Sequence, residues 1–133
     1  MKVSMEEVTA LTAALVAIDS TNPDLVPGGM GEVRIARFVA DWLEEAELEV
    51  QLHALAPSRA NVSAIDRGKG EGSGKSLMLN AHMDVVGAGG MIEPWTPRIE
   101  GTRPYGRGAY DMKASPRRDH ARGPGSGRDR SWR

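Results

Sequence analysis

Ser76-Leu77-Met78-Leu79-Asn80-Ala81-His82-Met83-Asp84-Val85-Val86 is the stretch on which the fold turns. Leu77, Met78 and Leu79 are consecutive and apolar, without the alternation of a strand that shows one face to water. Such a run predicts a strand buried on both faces, as in sheets covered by helices on each side. It ends in His82 and Asp84, two positions apart, so an extended backbone puts both side chains on one face. A carboxylate beside an imidazole takes one ring N–H, fixes the tautomer and aims the other nitrogen at a metal. Strand ends in α/β sheets are also where ligands collect. Taken alone, His-x-Asp more often describes a histidine hydrogen-bonded at a strand terminus.

Outward from this strand, the upstream pattern is helical and then extended. Ser4-Met5-Glu6-Glu7 is an S-x-x-E capping box. Val8, Leu11, Leu15 and Ile18 follow at helical spacing, predicting a helix over 5–18. Ser20-Thr21-Asn22-Pro23 ends it, because the residue before proline disfavours helix. A second helix is expected over 31–46. Val33, Ile35, Phe38, Val39, Trp42 and Leu43 form its apolar stripe, opposite Glu32, Arg34, Arg37, Asp41, Glu44 and Glu45. Leu48, Val50 and Leu52 then alternate with Glu49, Gln51 and His53, a half-buried strand that leaves His53 on the polar face. Asn61–Asp66 is a further short strand. The glycine-rich Gly68–Gly74 segment is expected to join it to 76–86 as a hairpin. Helices flanking a buried strand imply an α/β layer architecture.

Downstream, residues 87–108 are rich in Gly and Pro. A loop this long inside a domain is often functional. Tyr105–Lys113 reads as a return toward the sheet edge before a new helix. Pro116–Arg133 holds no Leu, Ile, Val, Met or Phe, so it cannot bury a face and is expected to be a disordered Arg/Gly-rich tail. The net charge of −1 conceals this division. Residues 1–115 carry 11 basic and 16 acidic side chains, whereas 116–133 carry six Arg and two Asp. Codons for the tail read one base later can spell Ala-Thr-Met-Leu-Ala-Ala-Arg-Ala-Ala-Ala, a helix-forming run. A shifted reading frame is thus one origin for the tail, and a genuine basic tail is the other.

Composition narrows the function classes. Hydrophobic residues make up 40% and charged residues 26%, enough for a packed core over 133 residues. The absence of cysteine excludes disulfides and thiolate metal sites. No apolar run approaches the roughly twenty residues of a membrane span, so no membrane partner is expected. Residues 1–7 turn acidic where a signal peptide turns apolar, and the expected location is the cytoplasm. The Arg-rich tail has a single aromatic, Trp132, and no nucleic-acid partner is expected. Gly70-Glu-Gly-Ser-Gly74-Lys75-Ser76 imitates a phosphate loop, but Lys69 stands where that loop needs glycine, and a strand follows where it needs a helix.

Four ordered blocks carry a resemblance. Leu79-Asn-Ala-His-Met-Asp-Val-Val86, Pro94-Trp-Thr-Pro97, Ile99-Glu-Gly101 and Tyr105-Gly-Arg-Gly-Ala-Tyr-Asp-Met-Lys113 closely resemble the dinuclear-zinc amidohydrolases. That family includes acetylornithine deacetylase, succinyl-diaminopimelate desuccinylase, aminoacylase and the glutamate-releasing carboxypeptidases. The resemblance implies that residues 1–115 are the N-terminal part of a three-layer αβα zinc-exopeptidase-like catalytic domain with an incomplete sheet. It assigns His82 as a ligand of one zinc and Asp111 as the carboxylate bridging both. Asp84 takes the catalytic-site role of orienting His82. A carboxylate can bridge two cations about 3.5–4 Å apart, and such a pair polarises a carbonyl and activates a shared water. Cobalt is a possible substitute metal. Gly106 and Gly108 would let the backbone turn tightly before Asp111. Trp95 would pack near the site mouth, and Pro104 would weaken the short strand around it.

The implied substrate is a small N-acyl amino acid or peptide, with the Gly87–Met91 segment looking most like the acetylornithine deacetylase branch. Full-length relatives are expected to be homodimers. The family's catalytic Glu and its neighbouring metal-binding Glu follow the bridging aspartate, yet Glu100 is the last Glu here and precedes Asp111. This chain alone is therefore expected to be inactive. The alternative reading is a non-catalytic truncated product or an interaction module.

Overall fold

The computed structural model describes residues 4–68 and 74–114. The tail at 116–133 and most of the glycine-rich 68–74 connection, with the first four residues of the phosphate-loop imitation, lie outside the described residues. Helix α1 spans Met5–Val16. Ser4 Oγ accepts from the Glu7 N–H at 3.1 Å, and Glu7 Oε2 accepts from the Ser4 N–H at 2.7 Å, closing the capping box. These bonds to Ser4 hold the Glu7 carboxyl below its ordinary value. The helix stops two residues short of 18, where Asp19 Oδ1 accepts from both the N–H and the hydroxyl of Thr21. That local turn competes with continued helix.

Helix α2 spans Val33–Glu45. It starts later than 31 because Gly31 takes φ +70°, outside the helical region. Its buried face is Ile35, Ala36, Val39, Ala40 and Leu43. Phe38 and Trp42 are half-buried and pack at its margin. Strands β1 (Glu49–Ala56) and β2 (Arg59–Ile65) pair antiparallel, with Val50 opposite Ala64 and Leu52 opposite Val62. The hairpin lies against α2. Leu48, Val50, Val62 and Ala64 join Leu15, Ile35, Val39 and Leu43 in one core. Leu52 does not take the buried place that alternation predicts: it is 42% exposed, although Val62 opposite it packs on the core. His53 bonds Ser63 across the ladder at 2.8 Å. Arg59 at the hairpin turn grips the buried Glu32 through two bonds of 2.9 Å and also pairs with Asp24. The turn is thereby tied to the start of α2 and to the loop before it.

Strands β3 (Arg98–Glu100) and β4 (Arg103–Tyr105) form a second antiparallel pair. Pro104 sits opposite Ile99, one place from the closing pair Glu100–Arg103. Alternation makes that a position where the strands exchange no hydrogen bonds, so the missing N–H leaves no gap in the ladder.

The expectation for 76–86 is corrected. Residues 74–84 form no strand, and Leu77 and Met78 are each 83% exposed. Among the described residues, the only pairing along this stretch is a parallel bridge between Val85 and Thr21. The expected hairpin to 61–66 is likewise absent, since β2 is paired with β1. An apolar run becomes a buried strand only when neighbours supply hydrogen bonds on both edges and cover on both faces, and the described residues supply neither. The architecture is α/β, with two helices and two separate antiparallel hairpins among the described residues. Among them no helix is long and apolar enough to cross a membrane.

Candidate metal centre

The Val85 bridge fixes the end of the 76–86 stretch. Val85 N–H donates to Ser20 O at 3.1 Å, and Asn22 N–H donates to Val85 O at 2.9 Å. The fully buried Ser20 donates its hydroxyl to Met83 O at 2.7 Å. Residues 20–22 thus run beside 83–85, and His82 and Asp84 project from a tethered backbone rather than a free one.

Asp111 arrives from the other side. Gly106 and Gly108 take φ +141° and +82°. A Cβ at Gly106 would overlap Val16 Cγ1, and one at Gly108 would lie 2.7 Å from Val85 Cγ1. The segment therefore passes flush against α1 and Val85, as only glycine allows. Arg107 N–H donates to Pro94 O, and the Arg107 guanidinium donates to Ala88 O at 2.8 Å. Arg107 is thus a strut between the two loops.

The three residues singled out from the sequence meet. His82 Nδ1 lies 3.1 Å from Asp84 Oδ1, and His82 Nε2 lies 3.2 Å from Asp111 Oδ1. The imidazole is held between two carboxylates. Burial pushes its pKa down, but the Asp84 carbonyl and carboxylate and then Asp111 outweigh this and raise it above its ordinary value. The charged, doubly protonated ring is therefore favoured up to a higher pH than for an ordinary histidine.

The donors suit such a cation. Two bonds of about 2.0–2.1 Å meeting near the tetrahedral angle put their ligand atoms about 3.3 Å apart. The observed 3.2 Å between Nε2 and Oδ1 matches, and an imidazole nitrogen with a carboxylate oxygen is a zinc-type pair. Among the described residues no three His, Cys, Asp or Glu side chains converge on one point. Asp111 is 80% exposed at its side chain, so the open side of the pair faces solvent.

One residue of the site escaped sequence reasoning. Asn22 Nδ2 donates to Asp84 Oδ2 at 2.7 Å across 62 positions. Its Asn-Pro context signalled only a turn.

Lys113 lies two positions beyond Asp111, and the Asp111–Met112 peptide between them is cis. It is 1% exposed and donates to Ile18 O at 2.6 Å, with its Nζ 5.2 Å from the Trp95 ring centroid. Burial lowers its pKa to about 8, against a smaller opposing effect of Asp19. An unfolded lysine titrates near 10.4. Between these values the unfolded chain binds more protons than the folded one, so stability rises with pH. In metal-free protein the urea midpoint should increase from pH 8 to pH 10, by up to about 3 kcal/mol in unfolding free energy. Lys113→Met should flatten that rise; an equal rise in both proteins would contradict it.

Comparison with known proteins bears on the same segment. Residues 78–115 match Peptidase family M20/M25/M40. The succinyl-diaminopimelate desuccinylase of Polynucleobacter necessarius subsp. necessarius (strain STIR1) is 34% identical over 118 residues, covering 84% of this chain and 29% of that protein. That of Leptothrix cholodnii (strain SP-6) is 36% identical over 115 residues, covering 80% and 27%. An N-formyl-4-amino-5-aminomethyl-2-methylpyrimidine deformylase of Halalkalibacterium halodurans is 30% identical over 112 residues, covering 81% and 25%. The chain thus spans under a third of the length of these curated relatives.

Proposed function

We propose, from the match of residues 78–115 to Peptidase family M20/M25/M40, that the chain is the N-terminal part of a zinc-dependent amidohydrolase of that family. The reaction is hydrolysis of the amide bond of a small N-acyl amino acid or peptide-like substrate in the cytoplasm. The observation that carries the reading is the His82–Asp111 pair, 3.2 Å apart and backed by Asp84. His82 Nε2 and Asp111 would hold zinc, with Asp111 free to bridge to a second ion. Bound zinc supplies a polarised carbonyl and an activated water near neutral pH. Asp84 fixes the imidazole, and Asp111 presents its carboxylate from a glycine-shaped turn packed on α1. Residues 1–115 would then belong to a three-layer αβα domain.

The acyl group is the open variable. The Gly87–Met91 segment favours an acetylornithine deacetylase-like substrate, whereas two of the relatives named above are desuccinylases. Acetyl and succinyl groups differ by a carboxylate, which an enzyme must satisfy with a cation or hydrogen-bond donors.

Two ligands cannot saturate two metals, and no Glu follows Asp111 to serve as general base. The 133 residues by themselves are therefore proposed to bind metal without turnover. Cobalt(II) reports its ligands by visible absorption. It is expected to bind the purified chain, and Asp111→Asn is expected to abolish the bands. Absence of bands with the unsubstituted chain would overturn the reading. The same preparation should release no product from N-acetyl or N-succinyl amino acids. Turnover would overturn the proposed need for ligands beyond Asp111.

A further inference from the structure

We infer that Asn22 is a positioning residue for the metal site: it sets the tautomer of His82 by locking the Asp84 carboxylate. The inference rests on the reading of His82 as a ligand. Asp84 uses its two oxygens differently. Oδ1 faces His82 Nδ1 at 3.1 Å, alongside the Asp84 carbonyl oxygen at 3.1 Å, and Oδ2 accepts from Asn22 Nδ2 at 2.7 Å. A carboxylate pinned at one oxygen cannot rotate its other oxygen away from the imidazole. Nδ1 then keeps its proton, and Nε2 is left as the lone-pair nitrogen that faces Asp111.

Asn22 is itself held at four points. Its N–H donates to Val85 O at 2.9 Å. Its carbonyl accepts from Leu25 and Val26 at 3.2 and 3.0 Å. Its Oδ1 accepts from the Asp24 N–H at 2.9 Å, which leaves Nδ2 as the donor end and aims it at Asp84. The amide cannot flip without exchanging an accepted N–H for a repelled one. Position 22 thus reads the register between 20–22 and 83–85 and passes it to the ligand. Two carboxylates compete for the imidazole. Asp84 has a 27% exposed side chain and a fixed oxygen, whereas Asp111 is 80% exposed. The fixed one takes the proton because the geometry is set in advance, which raises ligand basicity at the other nitrogen.

Asn22→Asp keeps the Oδ acceptor for the Asp24 N–H but removes the donor and sets a second carboxylate against Asp84. The double variant N22D/D84N reverses the pair: its amide at position 84 can donate to the carboxylate at position 22 and accept from His82 Nδ1. Ring nitrogen NMR shifts of the metal-free full chain at pH 9 read the neutral tautomer directly. Zinc affinity is read by chelator competition. The unsubstituted chain should show the Nδ1–H form. N22D should raise the Nε2–H population measurably and weaken zinc about tenfold. N22D/D84N should return the tautomer to Nδ1–H. Unchanged tautomer in N22D, or a double variant no closer to the starting protein than N22D, overturns the inference. The backbone amide spectrum identifies an unfolded N22D, in which case the tautomer of N22D/D84N against D84N alone decides the same question. A chain that binds no zinc but shows the tautomer shift would sink the proposed function and the metal-site role of Asn22, and leave only its control of the His82 tautomer.

Discussion

Zinc uptake by the chain is expected to be lost when His82 is replaced by alanine. The donors brought together are one imidazole nitrogen and one carboxylate oxygen, 3.2 Å apart. Removing the nitrogen leaves Asp111, 80% exposed at its side chain, to hold a cation against water alone. Outer partners of a metal-bound histidine contribute about 10–100-fold to affinity, so loss of the histidine itself should exceed about a hundredfold. Asp84→Asn should fall between the two, because the amide can still accept from Nδ1 but no longer carries charge. His53→Ala is the control: His53 is on β1, bonded to Ser63, and its removal should leave affinity unchanged. Chelator competition on all four proteins measures this. Equal affinity for His82→Ala and the starting chain, or an equal loss with His53→Ala, would refute it. Affinity should also fall as pH drops through the raised pKa of His82, since a proton and a metal compete for Nε2.

What the sequence made legible follows the range of the forces involved. The capping box is a contact over three positions, so Ser4 and Glu7 announce α1 without reference to the rest of the chain. The α2 stripe is also local, although Ala36 and Ala40 prove more buried than Phe38 and Trp42. A small side chain goes deepest where the helix approaches its neighbours most closely. The His82–Asp84 contact needs only an extended backbone, and two-residue spacing supplies it. The link to Asp111 spans 29 positions and came through resemblance, because nothing local couples the two. Three features were not legible at all. The Asn22–Asp84 and Glu32–Arg59 bonds join loops whose approach is decided by packing elsewhere. The burial of 77–79 depends on neighbours, not on the run itself, and among the described residues those neighbours are missing. Local chemistry thus located the site, while the contacts that hold the site in place are long-range.

The long-range holding can be tested at Gly31. Its alanine variant is expected to lose about 3–5 kcal/mol of stability, from a left-handed conformation and a steric clash of about 1–3 kcal/mol each. Gly31 takes φ +70°, and a Cβ there would overlap Ser58 O and lie 2.8 Å from the Ser58 carbonyl carbon. Both contacts are backbone, so no rotamer change relieves them. The same Ser58 carbonyl accepts from the Glu32 and Val33 N–H groups, and Gly31 N–H donates to Thr21 O at 2.9 Å. One residue therefore joins the β1–β2 turn, the start of α2 and the loop that carries Asn22. Gly28 separates the two costs. It takes φ +82°, and an added methyl would meet nothing within 4 Å, so Gly28→Ala should lose only the conformational part, about 1 kcal/mol. Urea denaturation of the two variants beside the unsubstituted chain gives the comparison. If Gly31→Ala costs no more than Gly28→Ala, the close approach to Ser58 is not what holds the loop. If it costs several-fold more and also shifts the His82 ring signals, the crossing at Gly31 is what keeps Thr21 and Asn22 in register with Val85, and His82 inherits its position from it.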